Sequence, residues 1–225
     1  MEELGYSVER FGQEQEPVVI IDDFYSDLGA LRKDAASKTY QKLGPFYPGI
    51  RAQANPAYLD ERMALLTKVL KDVFDWQTGA ELTECAYSLV TTPRAELTPI
   101  QRLPHYDGTD SGRLAVLHYL SGAETGGTSF YSHNAMGFET ITESRFERYK
   151  FILSEEIEEF GLPPQNYVDE GKPQFTLVGR IACKPNRCIL YRGITLHSGY
   201  IPEGLQLDND PSKGRLTINT FLSAK

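Results

Sequence analysis

Histidine, cysteine and tryptophan are scarce in this chain of 225 residues, at four, three and one respectively. Cys85, Cys183 and Cys188 leave at least one thiol unpaired. A chain of this length buries an adequate core without cross-links. Free, buried thiols in a reducing compartment are therefore expected, and with them a cytoplasmic location. A zinc site would need paired cysteines with histidines nearby, and Cys183 and Cys188 have no partner pair. No apolar run approaches the roughly 18 residues that cross a bilayer, so no membrane-spanning helix is expected. The first residues, Met1-Glu2-Glu3-Leu4, are acidic and lack the apolar stretch of a secretory leader. Positive charge is also in deficit: 23 Lys and Arg face 31 Asp and Glu, a net −8. Such a balance argues against nucleic acid or an anionic membrane as partner. Repeats, low-complexity tracts and Ser/Gly linkers are missing, so residues 1–225 read as a single domain. What is present is ordinary globular composition, 40% hydrophobic and 24% charged, rather than that of a disordered chain.

Helix signals cluster early. Pro17-Val18-Val19-Ile20-Ile21 is a short β-branched run and reads as a strand. Asp22, Asp23 and Ser26 offer caps for a helix whose apolar face is Leu28, Leu31 and Ala35. Residues 40–55, with Gly44, Pro45, Pro48 and Gly49, read as a loop, and its aromatics Tyr40, Phe46 and Tyr47 read either as a lid or as ordinary loop packing. Asn55-Pro56 opens a second helix with Leu59, Met63, Leu66, Leu70 and Phe74 in register, and Trp76 at its end reads as core. A third helix is expected over 142–160, where Phe146, Tyr149, Leu153 and Ile157 align; Glu155, Glu156, Glu158 and Glu159 read as its solvated face. Strands follow at 83–91, 112–120, 128–131, 175–183, 187–191 and 215–222, each bounded by turn residues. This is an α+β chain with helices on one side of an antiparallel sheet system, a sandwich or barrel.

The histidines carry the chemical signal. His105 and Asp107 are two residues apart, so on an extended chain their side chains share one face about 6–7 Å apart. His197 follows 90 positions later, after the strand-like Cys188-Ile189-Leu190-Tyr191. Two histidines and one carboxylate are the ligand set that leaves one face of octahedral Fe(II) open. On spacing alone, His197 capping a strand and Asp107 in a turn before Gly108 explain the pattern as well. His118 reads as a hydrogen-bonded residue of the outer sheet face. His133 is either at a substrate mouth or simply in a polar loop.

A longer series of elements goes further. His105-Tyr106-Asp107 precedes Leu114-Ala115-Val116-Leu117-His118-Tyr119-Leu120, then Gly126-Gly127-Thr128-Ser129-Phe130. Lys184-Pro185-Asn186-Arg187 leads into the apolar strand, and His197-Ser198-Gly199 and Arg215-Leu216-Thr217 complete the order. From His105 onward the chain resembles the iron(II)/2-oxoglutarate-dependent dioxygenases, in particular their prolyl-4-hydroxylase-like branch. The resemblance implies a double-stranded β-helix, a jelly-roll barrel braced by helices. It implies His105, Asp107 and His197 as ligands of Fe(II), and Arg215 and Tyr119 as the grip on the far carboxylate of the cosubstrate 2-oxoglutarate, with Thr217 adding a hydroxyl. It implies an oxygenase that couples oxidative decarboxylation of 2-oxoglutarate to hydroxylation of a small molecule or peptide. Retention of Asp107 disfavours halogenation. The residue three before the first histidine, a tyrosine in many relatives, is Arg102. Residues 201–214 look like an inserted, mobile loop. The rival reading is a non-oxidative, cupin-like metal-binding barrel, an isomerase or sugar-binding module; a nucleic-acid demethylase is disfavoured by the charge.

Overall fold

Side chains on the last strand, Arg215–Ala224, alternate between two environments, and this alternation organises the molecule. Leu216, Ile218 and Leu222 join one apolar cluster, while Phe221, from the other parity, joins a second. The computed structural model describes residues 5–171 and 173–225. The acidic segment at residues 1–4, expected not to be a secretory leader, lies outside them. Strands are β1 (Ser7–Arg10), β2 (Pro17–Ile21), β3 (Gly49–Gln53), β4 (Ala80–Val90), β5 (Arg113–Tyr119), β6 (Gly127–His133), β7 (Phe175–Ala182), β8 (Cys188–Arg192), β9 (His197–Tyr200) and β10 (Arg215–Ala224). Helices are α1 (Leu28–Ala36), α2 (Met63–Asp72) and α3 (Glu143–Phe160).

A seven-stranded sheet, in the order β1-β2-β8-β5-β10-β4-β3, faces a three-stranded sheet, β7-β6-β9. All ladders are antiparallel. This is the double-stranded β-helix. Between the sheets lie Val18, Ala115, Leu117, Tyr119, Phe130, Ile181, Ile189, Tyr191 and Phe221. The opposite parity of the larger sheet, including Leu114, Val116, Leu190, Leu216 and Ile218, is covered by Leu31 and Ala35 of α1 and by Leu66, Val69 and Leu70 of α2. Truncating a side chain such as Leu66 there costs about 2–5 kcal/mol. Trp76 joins the same cluster, and α3 sets Tyr149, Phe146, Leu153 and Ile157 against Tyr131, Phe175 and Leu196, outside the smaller sheet.

Several local expectations change. Asp27, not its neighbours, caps α1, accepting from the Ala30 amide at 2.9 Å. Ser26 is held by Glu61, and Asp22 pairs with Lys184 and Arg187. Asn55 caps a 3-10 turn over Pro56–Arg62, and only from Met63 does the chain become α-helical. The segment read as a loop contains β3. Gly49 permits that edge strand: a Cβ there would sit 2.0 Å from the Leu89 carbonyl oxygen. Strands β1 and β9 also arise where none was expected; β1, Ser-Val-Glu-Arg, is exposed throughout and has no apolar alternation to betray it. Residues 201–214 are less free than their composition suggests. Ile201 is buried with Val90, Leu97 and Tyr167, and Leu205 and Leu207 pack against them. No helix among the described residues is long and apolar enough to cross a membrane.

Candidate metal centre and adjoining anion pocket

His197 begins β9, on the parity that faces Phe130 of β6. His105 joins the edge of the same strand. Its amide donates to the His197 carbonyl at 2.8 Å, and the His197 amide donates back at 2.8 Å. Two residues on, the Asp107 amide donates to the Gly193 carbonyl at 2.7 Å. The extended run 105–107 therefore presents His105 and Asp107 on one side, beside His197. Their ligand atoms all lie within 4.8 Å of one another. Asp107 Oδ2 is 3.5 Å from His197 Nε2, and Asp107 Oδ1 is 4.0 Å from His105 Nε2.

The protonation states suit a cation. His197 Nδ1 donates to the Thr195 carbonyl at 2.8 Å, which leaves the Nε2 lone pair aimed at the cluster. Burial holds His197 down to about 4, so the ring is neutral at pH 7. Lost hydration and then the neighbouring His197 also hold His105 down, although half of its side chain reaches solvent. Burial raises the Asp107 carboxyl, against the pull of His105, Arg113 and Arg51. Neutral imidazoles beside a carboxylate short of positive partners form the donor set for a divalent ion.

Beyond the cluster lies a pocket of unmet hydrogen-bonding capacity. Arg215 is buried; its Nη2 donates to the Gly127 carbonyl at 2.8 Å, and its Nε has no partner. Tyr47 Oη and Ser88 Oγ are likewise buried without partners. Leaving one such group unsatisfied costs about 1–3 kcal/mol. Burial pushes the Tyr47 hydroxyl up to about 12, with the charge of Arg215 opposing. The Tyr119 ring lies 6.0 Å from the Arg215 guanidinium, and its hydroxyl pairs with Thr128 Oγ1 at 2.7 Å. Thr217 lies opposite Tyr119 and Ser88 in the ladders, but its hydroxyl donates to Asn219 Oδ1 at 2.7 Å. The Ser88 carbonyl lies 3.4 Å from the same hydroxyl. Gly199 completes the wall: a Cβ there would stand 3.7 Å from Arg215 Nη2. His197 and Gly199 share one face of β9, so Arg215 and the metal ligands are separated by two strand residues, about 7 Å. A short dicarboxylate spans that distance. Tyr191, stacked edge-on to His197 at 4.8 Å and to Phe130 at 5.3 Å, forms the apolar wall between.

Among the candidates read from sequence, His105, Asp107 and His197 thus converge on one centre, while Tyr119, Arg215 and Thr217 line the adjoining pocket. Tyr47 and Ser88 were not anticipated. Tyr47 sits in a segment that read as lid or loop, and Ser88 is a small residue inside a strand; the β4–β10 ladder sets Ser88 beside Arg215, and the pairing of β3 with β4 carries Tyr47 there. Of the aromatics in that segment, Phe46 is exposed and Tyr47 packs inward. His118 faces away from the centre, under Phe24 and Tyr58, with Nε2 3.0 Å from Asn186 Oδ1. His133 is neither at a mouth nor in a polar loop. It is buried at the end of β6, 2.8 Å from Glu156, which is correspondingly withdrawn from the solvated face of α3. Arg102 is committed to the Leu97 and Pro163 carbonyls.

Comparison with solved structures agrees on the fold. HygX from Streptomyces hygroscopicus, crystallised with nickel and 2-oxoglutarate, superposes with a TM-score of 0.55 at 15% identity, covering 94% of this chain and 84% of that one. SnoN, a non-heme alpha ketoglutarate dependent epimerase from nogalamycin biosynthesis, gives 0.53 at 11% identity, covering 93% and 78%. At such identities the likeness is one of fold. No curated protein matches the sequence. The family model that does match extends over residues 2–222, nearly the whole chain, and on that match the protein belongs to DUF6445, a family of unknown function.

Proposed function

We propose that residues 1–225 act as one Fe(II)- and 2-oxoglutarate-dependent oxygenase that hydroxylates a small molecule or a peptide side chain. The observation that carries the reading is the convergence of His105, Asp107 and His197 within 4.8 Å at the barrel mouth. Arg215 supports it, because a buried guanidinium with an unpartnered Nε, two strand residues from the triad, suits a carboxylate. A non-oxidative barrel would leave that pocket without a purpose. HygX and SnoN, which share the fold, are crystallised with 2-oxoglutarate and described as alpha ketoglutarate dependent respectively. The narrower placement beside the prolyl-4-hydroxylases rests on the sequence motifs. The acidic chain disfavours nucleic acid as substrate, and a reducing, cytoplasmic setting suits three free buried thiols.

In this reading His105 Nε2, His197 Nε2 and one Asp107 oxygen would hold the metal, and a two-histidine, one-carboxylate set would leave it able to take the cosubstrate and dioxygen. Iron with 2-oxoglutarate supplies the oxidising power for an unactivated C–H bond, the cosubstrate leaving as succinate and CO₂. The chain's own part is positional. Thr195 fixes the His197 tautomer through its carbonyl. Arg215 forks onto the far carboxylate, with Tyr47 and Ser88 as its other donors. Phe130 and Tyr191 keep the pocket dry, which strengthens each of these contacts.

The test is an oxygen-free titration. The protein is expected to bind one Fe(II) per chain and then 2-oxoglutarate, and in air to release succinate slowly without added substrate. Absence of 2-oxoglutarate binding at millimolar concentration in the metal-loaded protein refutes the assignment.

A further inference from the structure

Three more charged side chains face the interior beside the triad, and the pocket for 2-oxoglutarate uses none of them. Strand register fixes their direction. Arg113 shares the parity of Ala115, Leu117 and Tyr119, which face the barrel interior. Glu84 is paired with Phe221, and Arg51 with Ser88, itself opposite Thr217. Arg51 Nη1 donates to Glu84 Oε1 at 3.1 Å and the guanidinium covers the Tyr47 ring at 4.5 Å, so this cation is already paired in charge, although its Nε too is buried without a partner.

Arg113 is not matched. Its guanidinium lies over Phe221, 4.3 Å from the ring centre, its Nε is buried without a partner, and it enters no ion pair among the described residues. Its stem runs beside the metal ligand. A Cβ built on Gly193 would meet Asp107 Cβ at 3.3 Å and Arg113 Cγ and Cδ at 3.4 and 3.5 Å. An aromatic platform thus holds a guanidinium, with hydrogen-bonding capacity to spare, on a stem that runs beside Asp107.

Charge balance indicates what it awaits. With Fe(II) and the 2-oxoglutarate dianion in place, Asp107 and Glu84 against Arg215, Arg51 and Arg113 leave one positive charge uncompensated. A planar, forked donor and a single excess charge match one carboxylate. Resting on the oxygenase reading above, we propose that Arg113, flanked by the Arg51–Glu84 pair, receives a carboxylate of the substrate, so that the enzyme acts on small molecules or chain ends carrying a carboxylate a few bonds from the oxidised carbon. Glu84 limits the pull of Arg51, which keeps a second anion such as excess 2-oxoglutarate from settling there.

The experiment uses the full chain loaded with Zn(II), a diamagnetic substitute, and saturated with 2-oxoglutarate. Acetate, acetamide and methyl phosphate are titrated while the Arg113 Nε–H and the Ala115 methyl are followed by NMR. Acetate should shift both signals saturably, and acetamide neither. Arg113→Gln should weaken the acetate response of Ala115 about ten-fold or more, the loss of one charge-assisted contact. Arg113→Lys, the gentler change, should weaken it less. Glu84→Gln should strengthen it, an outcome that a purely structural Arg113 does not predict. Equal responses to acetate and acetamide, or an unchanged response in both Arg113 variants, overturn the proposal. Tighter methyl phosphate than acetate overturns the carboxylate assignment. Failure of wild type to bind 2-oxoglutarate overturns the oxygenase reading instead, and the acetate response of Arg113, measured without 2-oxoglutarate, then stands or falls separately.

Discussion

Replacing Arg215 with alanine separates two consequences of the anion pocket. Without ligand, the wild-type protein carries a buried guanidinium with one unpartnered nitrogen beside the orphaned Tyr47 and Ser88 hydroxyls. Removing that charge relieves a desolvation cost while freeing only the Gly127 carbonyl, so the stability of the unliganded protein should change little or rise. With ligand, the same truncation leaves the far carboxylate of 2-oxoglutarate in a dry cavity without its counter-charge. That costs roughly 2–5 kcal/mol, about 30- to 4,000-fold in Kd. Arg215→Lys should recover part, since an ammonium cannot make the forked contact. In wild type, 2-oxoglutarate at one hundred times its Kd adds about 2.7 kcal/mol, roughly 5–10 °C in Tm for a chain of this size. Thermal melts of the metal-loaded, oxygen-free protein should therefore show a ligand-induced rise in wild type and at most about a third of it in Arg215→Ala at the same concentration. A variant that keeps the full rise, while binding metal normally, refutes the placement of the cosubstrate at Arg215.

His197→Ala should abolish Fe(II) binding, since two remaining ligands hold ferrous iron poorly; metal stoichiometry measured after gel filtration checks it, and a stoichiometry like wild type's contradicts the triad. Gly199→Leu should leave Fe(II) binding intact and block 2-oxoglutarate, because its side chain would occupy the space beside Arg215 Nη2; calorimetry with each ligand separates the two. His118 is held down to about 4, chiefly by burial, against an ordinary value near 6.5. The unfolded chain then binds the extra proton between those values, so stability is lost as pH falls from about 6.5 towards 4, by up to about 3 kcal/mol. Urea midpoints at pH 7 and pH 5 should converge in His118→Leu relative to wild type, and an equal drop in both proteins would assign the acid sensitivity elsewhere.

The legible parts of this fold were those where neighbours in sequence are also neighbours in function. His105 and Asp107 were readable because an extended chain puts them on one face; β10 was readable because its alternation separates Arg215, Thr217 and Phe221 from Leu216, Ile218 and Leu222. The third candidate ligand, His197, and the proposed grip of Arg215 needed the long series of motifs as well. What stayed hidden depends on pairing across distant segments. Arg51 and Tyr47 lie in a Gly- and Pro-rich stretch without strand periodicity and reach the site only because Gly49 allows β3 to press against Leu89. His133 and Glu156 are 23 positions apart on a strand and a helix, and nothing local distinguishes their buried pair from two solvated side chains. The Cys85, Cys183 and Cys188 thiols are free and buried, as their number suggested.

The reciprocal amide bonds between His105 and His197 have a consequence for how the centre would be filled and emptied. Two of the three ligands are tied to each other by main-chain hydrogen bonds, and the third is tied to Gly193, so the cradle is set by the barrel and not by its ion. The fold then does not depend on the ion, unlike in small domains that collapse only around zinc. A chelator should strip the ion and leave circular dichroism nearly unchanged, lowering the urea midpoint only by the binding energy the ion contributed. The half-open flank at His105 gives the ion its route in and out, and exchange of one divalent metal for another proceeds in the folded state, at a rate set by that opening and not by unfolding.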